Sequence, residues 1–171
     1  MFEAKTIAAS DATAFFADLD RQLQALIEGE RDYVANAANA SALINALVAD
    51  LNWAGFYFLR SPDELVVGPF QGKPACVRIA VGKGVCGTSV ARRASIVVED
   101  VHAFPGHIAC DANSRSELVV PLIADGQERD GRVLGVLDLD SPLKGRFGEA
   151  ERIGFERIAA TLVAGSDWPA L

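Results

Sequence analysis

The sequence predicts an α+β fold, an antiparallel sheet with helices from both chain ends on one side. Three patterns carry that expectation. Long stretches of helical apolar spacing occur near the two termini, the region between them is built of aromatic and β-branched runs, and polar turn residues link those runs at hairpin-like distances. Parallel crossover units would instead need helices between successive strands.

Between residues 11 and 28, Phe15, Leu19, Leu23, Leu26 and Ile27 recur at three- and four-residue steps, the buried face of a first helix that Ser10 or Asp11 can cap. An Ala- and Leu-rich second helix is expected over residues 32–51, stopping before Asn52. Strands are expected at 53–59 and 64–70, separated by Ser61, Pro62 and Asp63, and then at 76–80, 95–98, 117–124 and 132–139. The polar turn 125–131 joins the last two. A short helix fits residues 85–93, entered through Gly82 and Gly84. The final helix, 148–164, carries Ile153, Phe155, Ile158, Leu162 and Val163 and is expected to close over the first two.

With 171 residues, half of them hydrophobic, the chain is long enough to bury one core, and a single domain over 1–171 is expected. A formal net charge of -7 disfavours nucleic acid and anionic membrane surfaces, which are captured by clustered Lys and Arg. The pair Arg92 and Arg93 reads as a solvated helix end. The first ten residues include Glu3 and Lys5 and no long apolar run, so neither a signal peptide nor a membrane span is expected and the cytoplasm is the expected location. Three cysteines in a reducing compartment point to thiols that are catalytic or buried, not to a disulfide framework.

The segment Gly82-Lys83-Gly84-Val85-Cys86-Gly87 lacks the Lys-Ser/Thr ending of a phosphate-binding loop and the spacing of a dinucleotide fingerprint, so its glycines read as a tight strand-to-helix turn. His102 and His107 would need further ligands to hold zinc; no metal and no cofactor are expected. Cys110 lies in the polar stretch His107-Ile108-Ala109-Cys110-Asp111-Ala112-Asn113-Ser114, where a packing cysteine is unusual and a reactive one is the simpler reading. Cys76 and Cys86, each taken alone, read as small buried residues. Asp138 and Asp140 end an apolar strand and share one face, opposite Leu137 and Leu139. If Glu117 neighbours them, repulsion and burial would keep at least one acid protonated; the alternative is a strand that simply ends in polar residues. Trp53 and Tyr57 share a strand face, as core aromatics or as pocket walls.

Six segments taken together resemble the free methionine-(R)-sulfoxide reductases, a catalytic branch of the GAF domains. They are Asn52-Trp53-Ala54-Gly55-Phe56-Tyr57, Gly68-Pro69-Phe70-Gln71-Gly72, Gly82-Lys83-Gly84-Val85-Cys86-Gly87, His107-Ile108-Ala109-Cys110-Asp111, Ser114-Arg115-Ser116-Glu117-Leu118-Val119-Val120-Pro121 and Gly135-Val136-Leu137-Asp138-Leu139-Asp140-Ser141-Pro142. The likeness runs over residues 32–155. It implies a GAF-like sheet flanked by N- and C-terminal helices, Cys110 as nucleophile, Cys76 as main resolving thiol and Cys86 as an alternative or auxiliary one. It further implies that Glu117, Asp138 and Asp140 bind and activate free methionine sulfoxide between Trp53 and Tyr57, without a cofactor, and that thioredoxin restores the thiols. What would activate Cys110 is open, with Lys83, Arg115 and His107 near it in sequence. Dimers being common among soluble enzymes, a homodimer is the expected assembly. The rival expectations are a non-catalytic GAF sensor of small molecules or redox state, against which stands the end at Leu171 without an output domain, and a thiol peroxidase.

Overall fold

Each terminal helix begins where an acidic side chain meets free backbone N–H groups. In the computed structural model, which describes residues 2–106, 111–124 and 131–170, Asp11 accepts from the Ala14 N–H at 2.9 Å and opens α1 (Ala12–Leu26). Asp32 accepts from Val34 and Ala35 and opens α2 (Tyr33–Leu47). At α4 (Glu149–Ala164) the Gly148 N–H donates to Glu151 across the first turn. The sheet is built from β1 (Trp53–Ser61), β2 (Glu64–Gly72), β3 (Arg78–Ala80), β4 (Ile96–Val98), β5 (Ser116–Ala124) and β6 (Arg132–Ser141). All neighbours are antiparallel, in the order β3-β2-β1-β6-β5-β4.

Side-chain alternation divides the core in two. Phe56, Phe58, Leu118, Val120, Leu122, Leu137 and Leu139 face α1, α2 and α4. Phe16 of α1 meets Phe155 of α4 edge-on, with ring centroids 5.0 Å apart. The buried Asp20 ties the same two helices, accepting from Arg157 Nε at 2.7 Å and Thr161 Oγ1 at 2.5 Å. On the opposite face, Trp53, Tyr57, Leu65, Val119 and Val136 pack with Val85, Cys86 and Val90 of α3 (Gly84–Arg92).

The terminal helices pack on one side as expected, and the short helix α3 covers the other face. The short helix starts one residue earlier than expected and ends at Arg93, which caps it in the left-handed region at φ 54°. Its entry requires glycine, with Gly82 at φ 84° and Gly84 at φ 58°. Gly87 brings α3 against β3, since a Cβ there would lie 2.3 Å from the Ala80 carbonyl oxygen.

Two other boundaries move. The second helix ends at Leu47, because the chain turns through Asp50 at φ 62° to enter β1. The strand expected over 76–80 is reduced to three residues. The Cys76 carbonyl is bonded to the Tyr57 hydroxyl at 3.0 Å, which takes it out of the sheet ladder. The turn 125–131 lies outside the described residues except for Gly131. Among the described residues, no helix is long and apolar enough to cross a membrane.

Candidate active site

The register of three strands assembles the site. β6 lies between β1 and β5, and its Asp140 pairs with Trp53 on one side and Glu117 on the other. Two residues along, Asp138 pairs with Gly55 and Val119. Glu117 is therefore directly opposite Asp140 and diagonal to Asp138 on one face. Gly55 has no side chain because β2 crowds it there, a Cβ at that position lying 2.2 Å from the Phe70 Cβ.

The resulting pocket encloses roughly 540 Å³ counted out to its open mouth, solvent included. Glu117, Asp138 and Cys86 form its floor, and Trp53 and Tyr57 its wall. The two rings stack with centroids 5.8 Å apart, and Trp53 also stacks on Phe70 at 5.2 Å. Both aromatics support the segment that carries Cys76. Trp53 Nε1 donates to the Lys73 carbonyl at 3.2 Å, and the Tyr57 hydroxyl bonds the Cys76 carbonyl. Cys76 itself packs partly buried against the edge of the α3-side core, while Lys73, Pro74 and Ala75 reach the pocket.

Burial dominates the electrostatics. It pushes the Glu117, Asp138 and Asp140 carboxyls well above the ordinary carboxylate range. Mutual repulsion adds to it: Asp140 acts on Glu117, Glu117 on Asp138, and Asp138 with Asp111 on Asp140. The Cys86 thiol is raised well above its usual value by burial and then by Asp138 and Glu117. Cys86 is thus held as a neutral thiol, a poor attacking group. Asp138, only 7% exposed, has one carboxylate oxygen, Oδ1, that is buried and accepts no hydrogen bond. An oxygen in that state invites a donor from a bound molecule.

The rim carries the opposite electrostatics. Asp111 accepts from Lys73 Nζ and from Asn52 Nδ2, both at 3.2 Å, and Asn52 Nδ2 also lies 3.0 Å from Ser114 Oγ. Its carboxyl is held below the usual range, first by the Asn113 N–H and also by Asn52 and Lys73. Sequence reasoning gave these rim residues no role. The bonded pairs stand 38 to 62 positions apart in the chain, and only the fold joins them.

Seven of the eight residues singled out from the sequence are described. Trp53, Tyr57, Cys86, Glu117, Asp138 and Asp140 line one pocket, and Cys76 lies behind its rim. Cys110 and His107 lie outside the described residues. His102 is exposed on the 3-10 turn Val101–Ala103 and does not line the pocket.

The GAF domain family model matches residues 7–165. This chain belongs to the GAF domain family. The GAF chain is 53% identical over 150 residues to the free methionine-R-sulfoxide reductase of Escherichia coli, covering 88% of this chain and 87% of that protein. It is similar to the solved structure of the free methionine-R-sulfoxide reductase of Neisseria meningitidis in complex with its substrate, at 40% identity and TM-score 0.89, over 96% of this chain and 95% of the other. A structure from Burkholderia vietnamiensis, described as that of a candidate GAF sensor, is 54% identical with TM-score 0.85 over 92% and 96% of the two chains. The resemblance to the sulfoxide reductases read from the sequence is thus borne out.

The buried acids of this GAF chain carry a stability cost with a definite sign. A carboxyl whose value is raised on folding binds its proton more tightly in the folded than in the unfolded chain. Stability is then full below the unfolded value, about 4, and is lost as pH rises toward the raised folded value, by about 1.4 kcal/mol per pH unit for each such proton. Asp138→Asn removes one of these groups. Denaturant unfolding from pH 4 to 8 is expected to show the variant gaining on the parent as pH rises, with the smallest difference near pH 4. Parallel curves would mean that Asp138 is not held protonated.

Proposed function

We propose that this chain reduces free methionine (R)-sulfoxide to methionine by thiol chemistry. The observation that carries the reading is the pocket floor, where buried carboxyls with raised values, one with an unpartnered oxygen, face a wall of two stacked aromatics. The E. coli and Neisseria relatives, named for that activity, add to it.

A sulfoxide sulfur becomes electrophilic when its oxygen accepts a proton. A neutral acid among Glu117, Asp138 and Asp140 supplies that proton, and the Cys110 thiolate attacks the sulfur. The attack forms an S–S bond, the OH then passes from the substrate sulfur to the Cys110 sulfur as the S–O and S–S bonds break, and methionine leaves with its sulfur reduced by two electrons while Cys110 ends as sulfenic acid. A second thiol, Cys76 in the main route and Cys86 as auxiliary, condenses with it to a disulfide and releases water. An external dithiol of the thioredoxin kind then reduces that disulfide by exchange.

A carboxylate left ionised in the trio pairs with the substrate ammonium, a group that a methionine inside a polypeptide lacks. Trp53 and Tyr57 hold the methyl and methylene groups. Residues 1–171 act as one catalytic domain, and a reducing compartment such as the cytoplasm suits the thiol cycle. The similarity to a protein described as a candidate sensor favours a second reading, a module that binds a small molecule in the same pocket without turning it over.

The test is turnover of the separated R and S epimers of free methionine sulfoxide, followed as NADPH loss through thioredoxin reductase and thioredoxin. Oxidation of NADPH with the R epimer alone is expected. No turnover of either epimer by the fully reduced chain, with dithiothreitol also supplied as reductant, would overturn the reading in favour of the sensor module.

A further inference from the structure

The proposed cycle gives Cys86 only an auxiliary part, although it occupies the floor of the pocket. The Cys86 sulfur and one carboxylate oxygen each from Glu117 and Asp138 lie within 4.8 Å of one another, and all three residues are buried. The Asp138 side chain hydrogen-bonds within the cluster, to Cys86 and Glu117, and its Oδ1 is buried without a hydrogen-bond partner. Among the described residues, no cation stands among the main electrostatic influences on these groups; carboxylates do. The Lys73 amine at the rim is engaged by Asp111.

We propose that Cys86, Glu117 and Asp138 form a binding site for a thiophilic divalent cation, with Zn²⁺ the best fit, on the floor of the pocket. One sulfur and two carboxylate oxygens are a donor set that Zn²⁺ accepts, and in tetrahedral geometry such donors stand roughly 3.5 Å apart. Closing the cluster by about an ångström meets that demand, because two of the donors are the ends of rotatable side chains on neighbouring strands. Ca²⁺ and Mg²⁺ require six or more oxygens and have no use for the sulfur. On binding, the Cys86 S–H bond is replaced by S–Zn, the proton held between the Glu117 and Asp138 carboxyls is displaced as well, both protons pass to solvent, and the fourth position is left for water.

The consequence rests on the function proposed above. Zn²⁺ and methionine sulfoxide need the same carboxyls, so the two exclude each other, and Zn²⁺ acts as an inhibitor competitive with the sulfoxide.

The binding test does not depend on turnover. The full chain with Cys76→Ser and Cys110→Ser, in which Cys86 is the remaining thiol, is titrated with Zn²⁺ by calorimetry and with Co²⁺ by absorption, with far-ultraviolet circular dichroism as the folding control. One equivalent of Zn²⁺ and a thiolate-to-Co²⁺ charge-transfer band are expected. Adding Cys86→Ser is expected to abolish the band and weaken Zn²⁺ binding by roughly tenfold or more, and Glu117→Gln to weaken it comparably while keeping the thiol. Absence of the band in the folded double variant, or Zn²⁺ affinity unchanged by Cys86→Ser and Glu117→Gln, overturns the site. A parent chain that turns over neither epimer when free of metal, while the double variant still binds Zn²⁺ through Cys86, would refute the sulfoxide reaction and leave the metal site standing.

Discussion

Replacing Cys110 by serine is expected to abolish sulfoxide reduction altogether, in single and in multiple turnover. A serine hydroxyl is not ionised near neutral pH, and an alkoxide attack on sulfur would yield no sulfenic acid for a second thiol to resolve. The neighbouring thiols do not substitute for it. Cys86 is held neutral by burial and by two acids, and its sulfur is committed to the pocket floor. Cys76 packs behind the rim, outside the set of pocket-lining residues. Cys76→Ser should behave differently, completing about one stoichiometric reduction and then recycling slowly with thioredoxin, because its loss blocks disulfide formation and spares the first attack. Quantifying methionine released per chain, first without reductant and then with thioredoxin, separates these outcomes. Sustained turnover by Cys110→Ser would remove Cys110 from the chemistry.

The pattern of what sequence could and could not reveal follows from the range of the interactions involved. Asp138 and Asp140 were legible as a same-face pair because strand alternation is local, and Leu137 and Leu139 fall on the opposite face as that alternation requires. That Glu117 joins them depends on the pairing of β5 with β6, which local pattern leaves conditional and the Glu117–Asp140 register decides. The side of the sheet that α3 covers was not legible. Val85, Cys86 and Val90 make an apolar stripe that would suit either face. The early end of α2 was hidden for a similar reason, since Val48 and Leu51 continue the apolar spacing after the helix has stopped. The rim pair of Lys73 and Asp111 had no local signature at all, as each is an ordinary polar residue in its own loop.

The carboxyls admit a sharper test than the thiols, because they should set both the size and the pH dependence of the rate. Glu117→Gln is expected to lower the rate of sulfoxide reduction by roughly 10²-fold or more, the scale on which a general acid contributes. Glutamine keeps the volume and a hydrogen-bond donor but has no proton to give to the sulfoxide oxygen. Asp138→Asn should fall in the same range, since burial and the charge of Glu117 hold Asp138 as a proton carrier too. The sign of the pH effect follows from the raised values. The trio is competent while one acid keeps its proton, so the parent rate should be high below the raised values and decline as pH climbs through them, with apparent values that belong to the coupled set. Single-turnover rates across pH 6 to 9 would show this decline in the parent chain, beyond any rise that ionisation of Cys110 brings. In Glu117→Gln the decline should move to lower pH, because the charge of Glu117 that helps to hold a proton on Asp138 is gone. Parent-like rates and an unchanged profile in both variants would take the carboxyls out of proton transfer and leave them only the task of holding the substrate ammonium.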